Sequence, residues 1–133
     1  MKSSTKSLRI GCDIVQIDEV ATSMAAFPGS FEARMFTECE LVYAYAGSGM
    51  EAQRLAARFA AKEAVIKALD LSDAGVSWRD IEVEKLPGGE CELRFHGRVA
   101  EIAGQLKVVR SLLSLSHGGS YAMAFVVMDC EIN

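Results

Sequence analysis

The segment Glu51–Leu69, EAQRLAARFAAKEAVIKAL, decides the fold of this chain. Its large apolar residues recur at helical spacing and form one stripe, which consists of Leu55, Phe59, Ile66 and Leu69. Alanines fill much of the remaining circumference, so little of this surface suits contact with water. The pattern predicts a long, closely packed helix at the centre of the fold.

Charged residues interrupt this helix at positions where burial is expected. Arg58 and Lys62 fall inside the apolar stripe, Glu63 lies at its margin, and Lys67 lies further round. A buried charge is costly unless it is paired or faces a cleft. Two interpretations stay open. These residues either are snorkelling side chains with an ordinary Glu63–Lys67 helix pair, or form a local cationic site for an anionic ligand.

The flanking segments predict an α+β domain, because strands and helices alternate in groups along the chain. Thr37 and Glu40 have the spacing of a capping box, which marks the start of one helix. The other predicted elements are a strand at Leu8–Ile17, helices at Asp18–Phe27 and Ser30–Arg34 (the latter capped by Ser30), strands at Ser77–Leu86 and Cys91–Phe95, a helix at Gly97–Gln105, and a hairpin of Ser111–Ser116 and Tyr121–Met128 around His117–Ser120.

Length and composition narrow the class of protein. The chain has 133 residues, which predicts one domain over residues 1–133. No run approaches the 18 or so apolar residues of a membrane span, and a net charge of −4 argues against a nucleic-acid partner. Half of the residues are hydrophobic, so we expect part of the surface to be covered by further copies of the chain.

The cysteines point to a reducing compartment. The polar stretch Met1–Leu8 is not typical of a secretory signal, so a cytoplasmic location is expected. Two distant disulfides are possible, but buried or partly buried thiols are the expected state of all four cysteines, Cys12, Cys39, Cys91 and Cys130. Zinc is discounted, because the cysteines lack close spacing and the chain has only two histidines, His96 and His117.

Asp13 and His117 fit an ordinary structural role less well than their neighbours do. Asp13 interrupts an apolar strand, and strand alternation would turn a lone acid to solvent. If Asp13 instead meets Glu63 beside the nearby cations, the pair suits Mg²⁺ that carries a polyphosphate. His117 precedes two glycines, which either form a plain hairpin turn or let a ligand approach the backbone.

These same segments resemble the holo-acyl-carrier-protein synthase family of phosphopantetheinyl transferases. The opening strand IGCDIVQI resembles the family's metal-binding strand, and RFAAKEAVIKAL is very similar to its signature helix. The match runs in the same order over most of the chain. It includes Arg34-Met-Phe-Thr37 followed by Glu40, SWRDIEV at Ser77–Val83, and LSLSHGGSYAMAFV at Leu113–Val126.

The resemblance implies a phosphopantetheinyl transferase-like fold, with a mainly antiparallel sheet packed on the long central helix. It implies transfer of the phosphopantetheine arm of coenzyme A to a serine of an acyl carrier protein, in fatty-acid or polyketide biosynthesis, by a homotrimer. Asp13 and Glu63 would bind Mg²⁺, and Glu63 and Lys67 would be catalytic. The nucleotide end of coenzyme A would be held by Arg58, Lys62, Ser116 and His117. Whether Glu63 or a metal-bound water accepts the serine's proton stays open.

The chain departs from the family pattern in two places. Ile10–Ala33 has no Lys or Arg, and Asp18-Glu19 stands where the family places an arginine that meets the acidic carrier. Asp70-Leu71-Ser72 replaces a Gly-Thr-Gly segment after the signature helix. We therefore expect a less acidic carrier from a specialised pathway. The competing interpretations are a non-catalytic trimer that binds coenzyme A or a carrier, and a structural trimer without a ligand.

Overall fold

The computed structural model describes residues 5–132 and the side chains of residues 7–131. Residues 1–4 of the polar N-terminal stretch and residue 133 lie outside the described part of the predicted domain. The strands in residues 5–132 are β1 (Thr5–Gln16), β2 (Ile81–Lys85), β3 (Cys91–Phe95), β4 (Val108–Gly118) and β5 (Tyr121–Ile132). The α-helices in this range are α1 (Ile17–Ala26), α2 (Ser30–Met35), α3 (Glu38–Tyr45), α4 (Glu51–Leu69) and α5 (Gly97–Gln105).

Two antiparallel sheets surround the central helix. The larger sheet has the strand order β1-β5-β4, and the smaller one is the β2–β3 hairpin. The helix α4 has the predicted bounds, and its alanines and Leu55 are buried in the core. The predicted α+β architecture, with a mainly antiparallel sheet on a long central helix, is confirmed. Among residues 5–132, no helix has both the length and the apolar content needed to cross a bilayer.

Gly11 lets β1 approach α4 closely. A Cβ atom at this position would overlap the carbonyl oxygen of Ala64, which is backbone and cannot rotate away. The strand therefore lies directly on the helix. Because side chains alternate along a strand, the residues two positions on from Gly11, Asp13 and then Val15, also face α4.

The opposite face of the larger sheet is apolar and exposed. Cross-strand pairing places Ile10 beside Val127, which in turn pairs with Leu112, so these residues share one face. Ile10 is 72% exposed. Other large apolar side chains exposed on this outer face are Leu8, Ile14 and Phe125. We call this surface the outer sheet face.

Local side-chain hydrogen bonds mark the starts of two helices. The predicted capping residue is confirmed for α3 and wrong for α2. Thr37 and Glu40 form the predicted capping box, in which the Thr37 amide donates to Glu40 Oε1 at 2.9 Å. Ser30 is not the cap of α2, since Gly29 occupies that position with φ +77° and Ser30 is the first helical residue. The Glu32 carboxylate accepts from the Gly29 amide, so a side chain inside the helix bonds back to the capping residue.

The predicted strand Ser77–Leu86 is wrong at its start. Trp78–Asp80 form a short 3₁₀ helix, because the Ser77 hydroxyl accepts from the Arg79 amide and Asp80 accepts from the Ser77 amide. The strand begins only at Ile81. The cysteine prediction also needs correction: all four thiols are free, but Cys12 and Cys39 are exposed, Cys12 because it lies on the outer sheet face.

Candidate active site

Asp13 turns towards α4, not to solvent. Its side chain is 18% exposed, and Lys67 Nζ donates to Asp13 Oδ1 at 2.9 Å. The same ammonium donates to the Cys12 carbonyl at 3.0 Å. The hydrogen bond to Asp13 raises the pKa of Lys67, so this amine stays protonated at neutral pH. The Gly11–Ala64 contact thus places an acid of β1 against a base of α4.

Glu63 lies one helical turn before Lys67 and is half-buried. Burial raises the pKa of Glu63, the negative charge of Asp13 raises it further, and the charge of Lys67 opposes both. Lys67 contacts Asp13 and lies one helical turn after Glu63, so all three side chains lie on the same side of α4. Asp13, Glu63 and Lys67 are therefore brought together from β1 and α4; we call them the acidic half-site.

The donor set of the acidic half-site fits magnesium. Within residues 5–132, no cluster of three or more His, Cys, Asp or Glu is arranged to hold a metal. Magnesium needs only one or two protein carboxylates, and water and phosphate oxygens fill its other positions. A divalent cation held by Asp13 and Glu63 would offset the repulsion between their negative charges.

A cavity of about 440 Å³ lies on another side of α4 and is lined by several cations. Tyr43 is at its centre: the guanidinium carbons of Arg54 and Arg58 each lie 4.3 Å from its ring centroid, and Lys85 Nζ lies 5.2 Å away. His117 also lines the cavity, and its Nε2 lies 3.1 Å from Gln53 Nε2. We call this the cationic half-site.

Arg58 is the most confined cation of this half-site. Arg58 is only 4% exposed, yet its Nε has no hydrogen-bond partner among the described residues. Its terminal nitrogens make only long contacts, at 3.5 Å to the Arg54 carbonyl and 3.9 Å to Cys91 Sγ. A buried guanidinium with free donors suits an anionic ligand. Ser116 and His117 are exposed and line the same cavity.

Lys62, which the sequence assigned to the nucleotide, points elsewhere. It is fully buried and forms an ion pair with Glu40 at 2.8 Å, and both side chains are inaccessible to water. Its ammonium also donates to the carbonyls of Trp78, at 3.2 Å, and Ile81. Burial lowers the pKa of Lys62, and the carboxylate of Glu40 opposes that change. All its donors are used inside the core, so its role in this chain is structural.

The cationic half-site contains residues that the sequence did not single out. The sequence pattern assigns no site to Arg54, Tyr43 or Lys85. Tyr43 comes from α3 and Lys85 from the end of β2, so only packing of both elements on α4 unites them. A sequence signal existed for Arg54 alone, because it lies one helical turn before Arg58.

The two half-sites do not share a cavity within one chain. Asp13, Glu63 and Lys67 are absent from the lining of the cavity around Tyr43. Arg58 and Glu63 are five positions apart, which places them about 140° apart around a helix of 3.6 residues per turn. One chain therefore presents its acids and its cluster of cations on different sides of α4.

Comparison with known proteins identifies the family of this chain. A model of the 4′-phosphopantetheinyl transferase superfamily matches residues 9–126. The chain belongs to this superfamily. The family resemblance and the enzyme class predicted from the sequence, a phosphopantetheinyl transferase, are thereby confirmed.

Individual relatives of this transferase chain match over nearly their whole length. The holo-[acyl-carrier-protein] synthase of Koribacter versatilis is 40% identical over 92% of this chain and 98% of its own. That of Moorella thermoacetica is 39% identical over 95% and 97%. Among solved structures, a synthase–coenzyme A complex from Chronobacterium ammoniagenes has a TM-score of 0.80, with 31% identity over 92% and 96% of the two chains. The Helicobacter pylori synthase in complex with coenzyme A has a TM-score of 0.78, with 28% identity over 90% and 98%.

Proposed function

We propose that this chain, as a single transferase domain, moves the phosphopantetheine arm of coenzyme A to a serine of an apo acyl carrier protein. The observation that carries the proposal is the convergence of Asp13, Glu63 and Lys67 between β1 and α4. The names of the relatives and the coenzyme A complexes among the structural neighbours support it. The cytoplasmic location expected from the sequence stays a prediction.

The reaction is a phosphoryl transfer that needs alignment and charge neutralisation more than covalent help. The serine oxygen of the carrier forms a bond to the β-phosphorus of coenzyme A. The pyrophosphate bond breaks, and its electron pair leaves with adenosine 3′,5′-bisphosphate. Lys67, protonated beside Asp13, neutralises the charge on the leaving oxygen. Glu63, one helical turn from Lys67, is the base that we propose for the serine proton.

We assign Mg²⁺ to the carboxylates of Asp13 and Glu63. When bound, the cation supplies positive charge to the pyrophosphate oxygens. Asp13 presents its carboxylate at the edge of β1, where Lys67 already holds one of the two oxygens. Glu63 lies on α4. The two proposed ligands therefore come from β1 and α4, which pack closely because residue 11 is glycine.

We further propose that the cationic half-site binds the nucleotide end of coenzyme A. Arg58, Ser116 and His117, which the sequence assigned to the nucleotide, line this cavity. Arg54 and Lys85 add two cations suited to a phosphate monoester. Lys62 is not part of this proposal. Because the two half-sites lie on different sides of α4, we propose that each coenzyme A binds the acidic half-site of one subunit and the cationic half-site of another.

This geometry supports the homotrimer that the resemblance implies, with sites between subunits. The outer sheet face supports it as well, since Ile10, Ile14 and Phe125 are more than half exposed and lie on one surface. An apolar sheet face of this kind is normally covered. A trimer buries it and joins the acidic half-site of one subunit to the cationic half-site of the next.

The carrier is proposed to be less acidic than a typical fatty-acid carrier and to serve a specialised pathway. Asp18 and Glu19 lie exposed in the first turn of α1, and no Lys or Arg lies between Ile10 and Ala33. Acidic groups on both partners would slow association and weaken it. Transfer rates on a fatty-acid carrier and on a near-neutral carrier, measured at low and moderate salt, test this; equal rates contradict it.

Intact-mass measurement tests the function directly. Incubation with coenzyme A, Mg²⁺ and apo carrier should add the mass of the phosphopantetheine arm to the carrier. Glu63→Gln should abolish this addition, while Glu101→Gln, on the exposed face of α5, should leave it unchanged. Coenzyme A binding without any product from the native chain would favour the alternative, a non-catalytic coenzyme A- or carrier-binding trimer. Absence of both binding and product would favour a structural trimer without a ligand.

A further inference from the structure

A second cavity, of about 360 Å³, opens directly beside Glu63 and differs in character from the cationic half-site. Its wall combines apolar side chains with the Ser72 hydroxyl, which is a neutral polar group, and with Glu63 at one edge. The described residues that line it include no Lys or Arg. The apolar part of the wall comes from Ile66, Leu71, Val76 and Trp78. We call this space the Trp78 pocket.

Contacts with other residues of the fold hold the lining residues of the Trp78 pocket in place. The Trp78 ring is stacked on Phe59, with centroids 5.3 Å apart and planes inclined at 21°. The Trp78 carbonyl accepts from the buried ammonium of Lys62. Leu71 is 2% exposed, and its amide donates to the Ile66 carbonyl at 2.9 Å. The pocket is therefore largely formed before any ligand arrives.

The lining excludes one half of coenzyme A and suits the other. A pocket with one carboxylate and no cation repels phosphate groups, so it does not suit the adenosine 3′-phosphate end. On the other side of the pyrophosphate, the arm begins with a carbon that carries two methyl groups, followed by a carbon with a hydroxyl and then an amide. This part is uncharged, mostly apolar and attached directly to the phosphate that reacts.

We propose that the Trp78 pocket binds this dimethyl-hydroxyl segment of the transferred arm, with Trp78, Leu71 and Val76 against the methyl groups and Ser72 at the hydroxyl or amide. The inference rests on the proposed function, since it places the reacting phosphate at Glu63. Leu71 and Ser72 are two of the three residues that stand in place of a Gly-Thr-Gly segment. A leucine in place of threonine and a serine in place of glycine therefore form part of the pocket wall in this chain.

Calorimetry with two ligands tests the proposal, because adenosine 3′,5′-bisphosphate lacks the arm and coenzyme A contains it. The native trimer with Mg²⁺ should bind coenzyme A more tightly than the bisphosphate. Trp78→Ala should weaken coenzyme A binding about tenfold or more, as expected for loss of a large aromatic contact. Its affinity for the bisphosphate should stay within about twofold of the native value.

A second variant covers the case in which Trp78→Ala does not fold. Val76→Trp lies on a half-buried part of the wall and narrows the pocket, so it should also weaken only coenzyme A binding. Phe27→Ala, an exposed aromatic that lines none of the cavities described above, is the matched control and should change neither affinity.

The outcomes separate this proposal from the proposed function. If Val76→Trp weakens the binding of both ligands equally, or of neither, the pocket assignment is overturned while the transferase function stands. Native protein that binds neither ligand overturns both. Selective loss of coenzyme A binding in Val76→Trp, with the bisphosphate unaffected, supports the pocket.

Discussion

Replacing Lys62 by methionine removes the cation of a fully buried ion pair and keeps much of the side chain's length. Glu40 then remains at 0% exposure with only the amides of Thr37 and Val83 as donors, and the carbonyls of Trp78 and Ile81 lose their shared partner. Leaving one partner of a buried pair uncompensated typically costs about 3–5 kcal/mol. We expect Lys62→Met to lower the free energy of unfolding by that amount.

Urea denaturation at a fixed protein concentration measures this loss. With a slope of about 2 kcal/mol per molar urea, the midpoint should fall by about 1.5–2.5 M. Under native conditions, the affinity of the folded variant for adenosine 3′,5′-bisphosphate should be unchanged. A variant that keeps native stability but loses bisphosphate affinity would refute the structural role and restore the original assignment of Lys62 to the nucleotide.

Three further predictions follow from other contacts. Gly11→Ala should destabilise the protein by about 1–3 kcal/mol in thermal or urea unfolding, because the added methyl meets the rigid Ala64 carbonyl, and transfer activity should fall as Asp13 moves; native stability would contradict the close approach. Burial raises the pKa of Glu82, but hydrogen bonds from Thr37 and His96 outweigh it and lower the pKa overall. The ionised carboxylate therefore stabilises the fold above the usual glutamate pKa, and this contribution is lost as pH falls through the lowered pKa. Glu82→Gln should be less stable than the native chain at pH 7, and a stability difference that persists at pH 3 would argue against this assignment. Ile10→Glu on the outer sheet face should shift the oligomer towards monomer in sedimentation, whereas Val42→Glu, an equally exposed position on α3, should not.

Local pattern was enough to predict the framework of the fold. It left the roles of Asp13 and Glu63 open, and only the family resemblance joined them in one site. The period of 3.6 in the alanine-rich segment fixed α4 to its first and last residue, and the Thr37–Glu40 spacing fixed the start of α3. Asp13 and Glu63 were recognised because a charge in an apolar run has to be compensated. Their meeting depends on Gly11, whose small size could be read from the sequence but whose contact partner could not.

Long-range packing explains what the sequence left out. Lys62 finds its carboxylate 22 positions away in α3, and no periodicity within α4 distinguishes that partner from a bound phosphate. Lys85 reaches Tyr43 only because the β2–β3 hairpin packs beside α3. The strand expected from Ser77 begins only at Ile81, because the side chains of Ser77 and Asp80 accept hydrogen bonds from nearby amides and form a short 3₁₀ helix. Strand propensity does not predict such hydrogen bonds.

In the proposed trimer, the separation of acids and cations around α4 would make activity depend on neighbouring subunits and not on one chain alone. A population that carries only Glu63→Gln, or only Arg58→Ala, would then have no intact centre. When equal amounts of the two variants are unfolded together and reassembled, each centre would draw its two halves independently, so about one quarter of the centres should be intact in a closed ring with random mixing. Two inactive preparations would then become partly active by exchange alone.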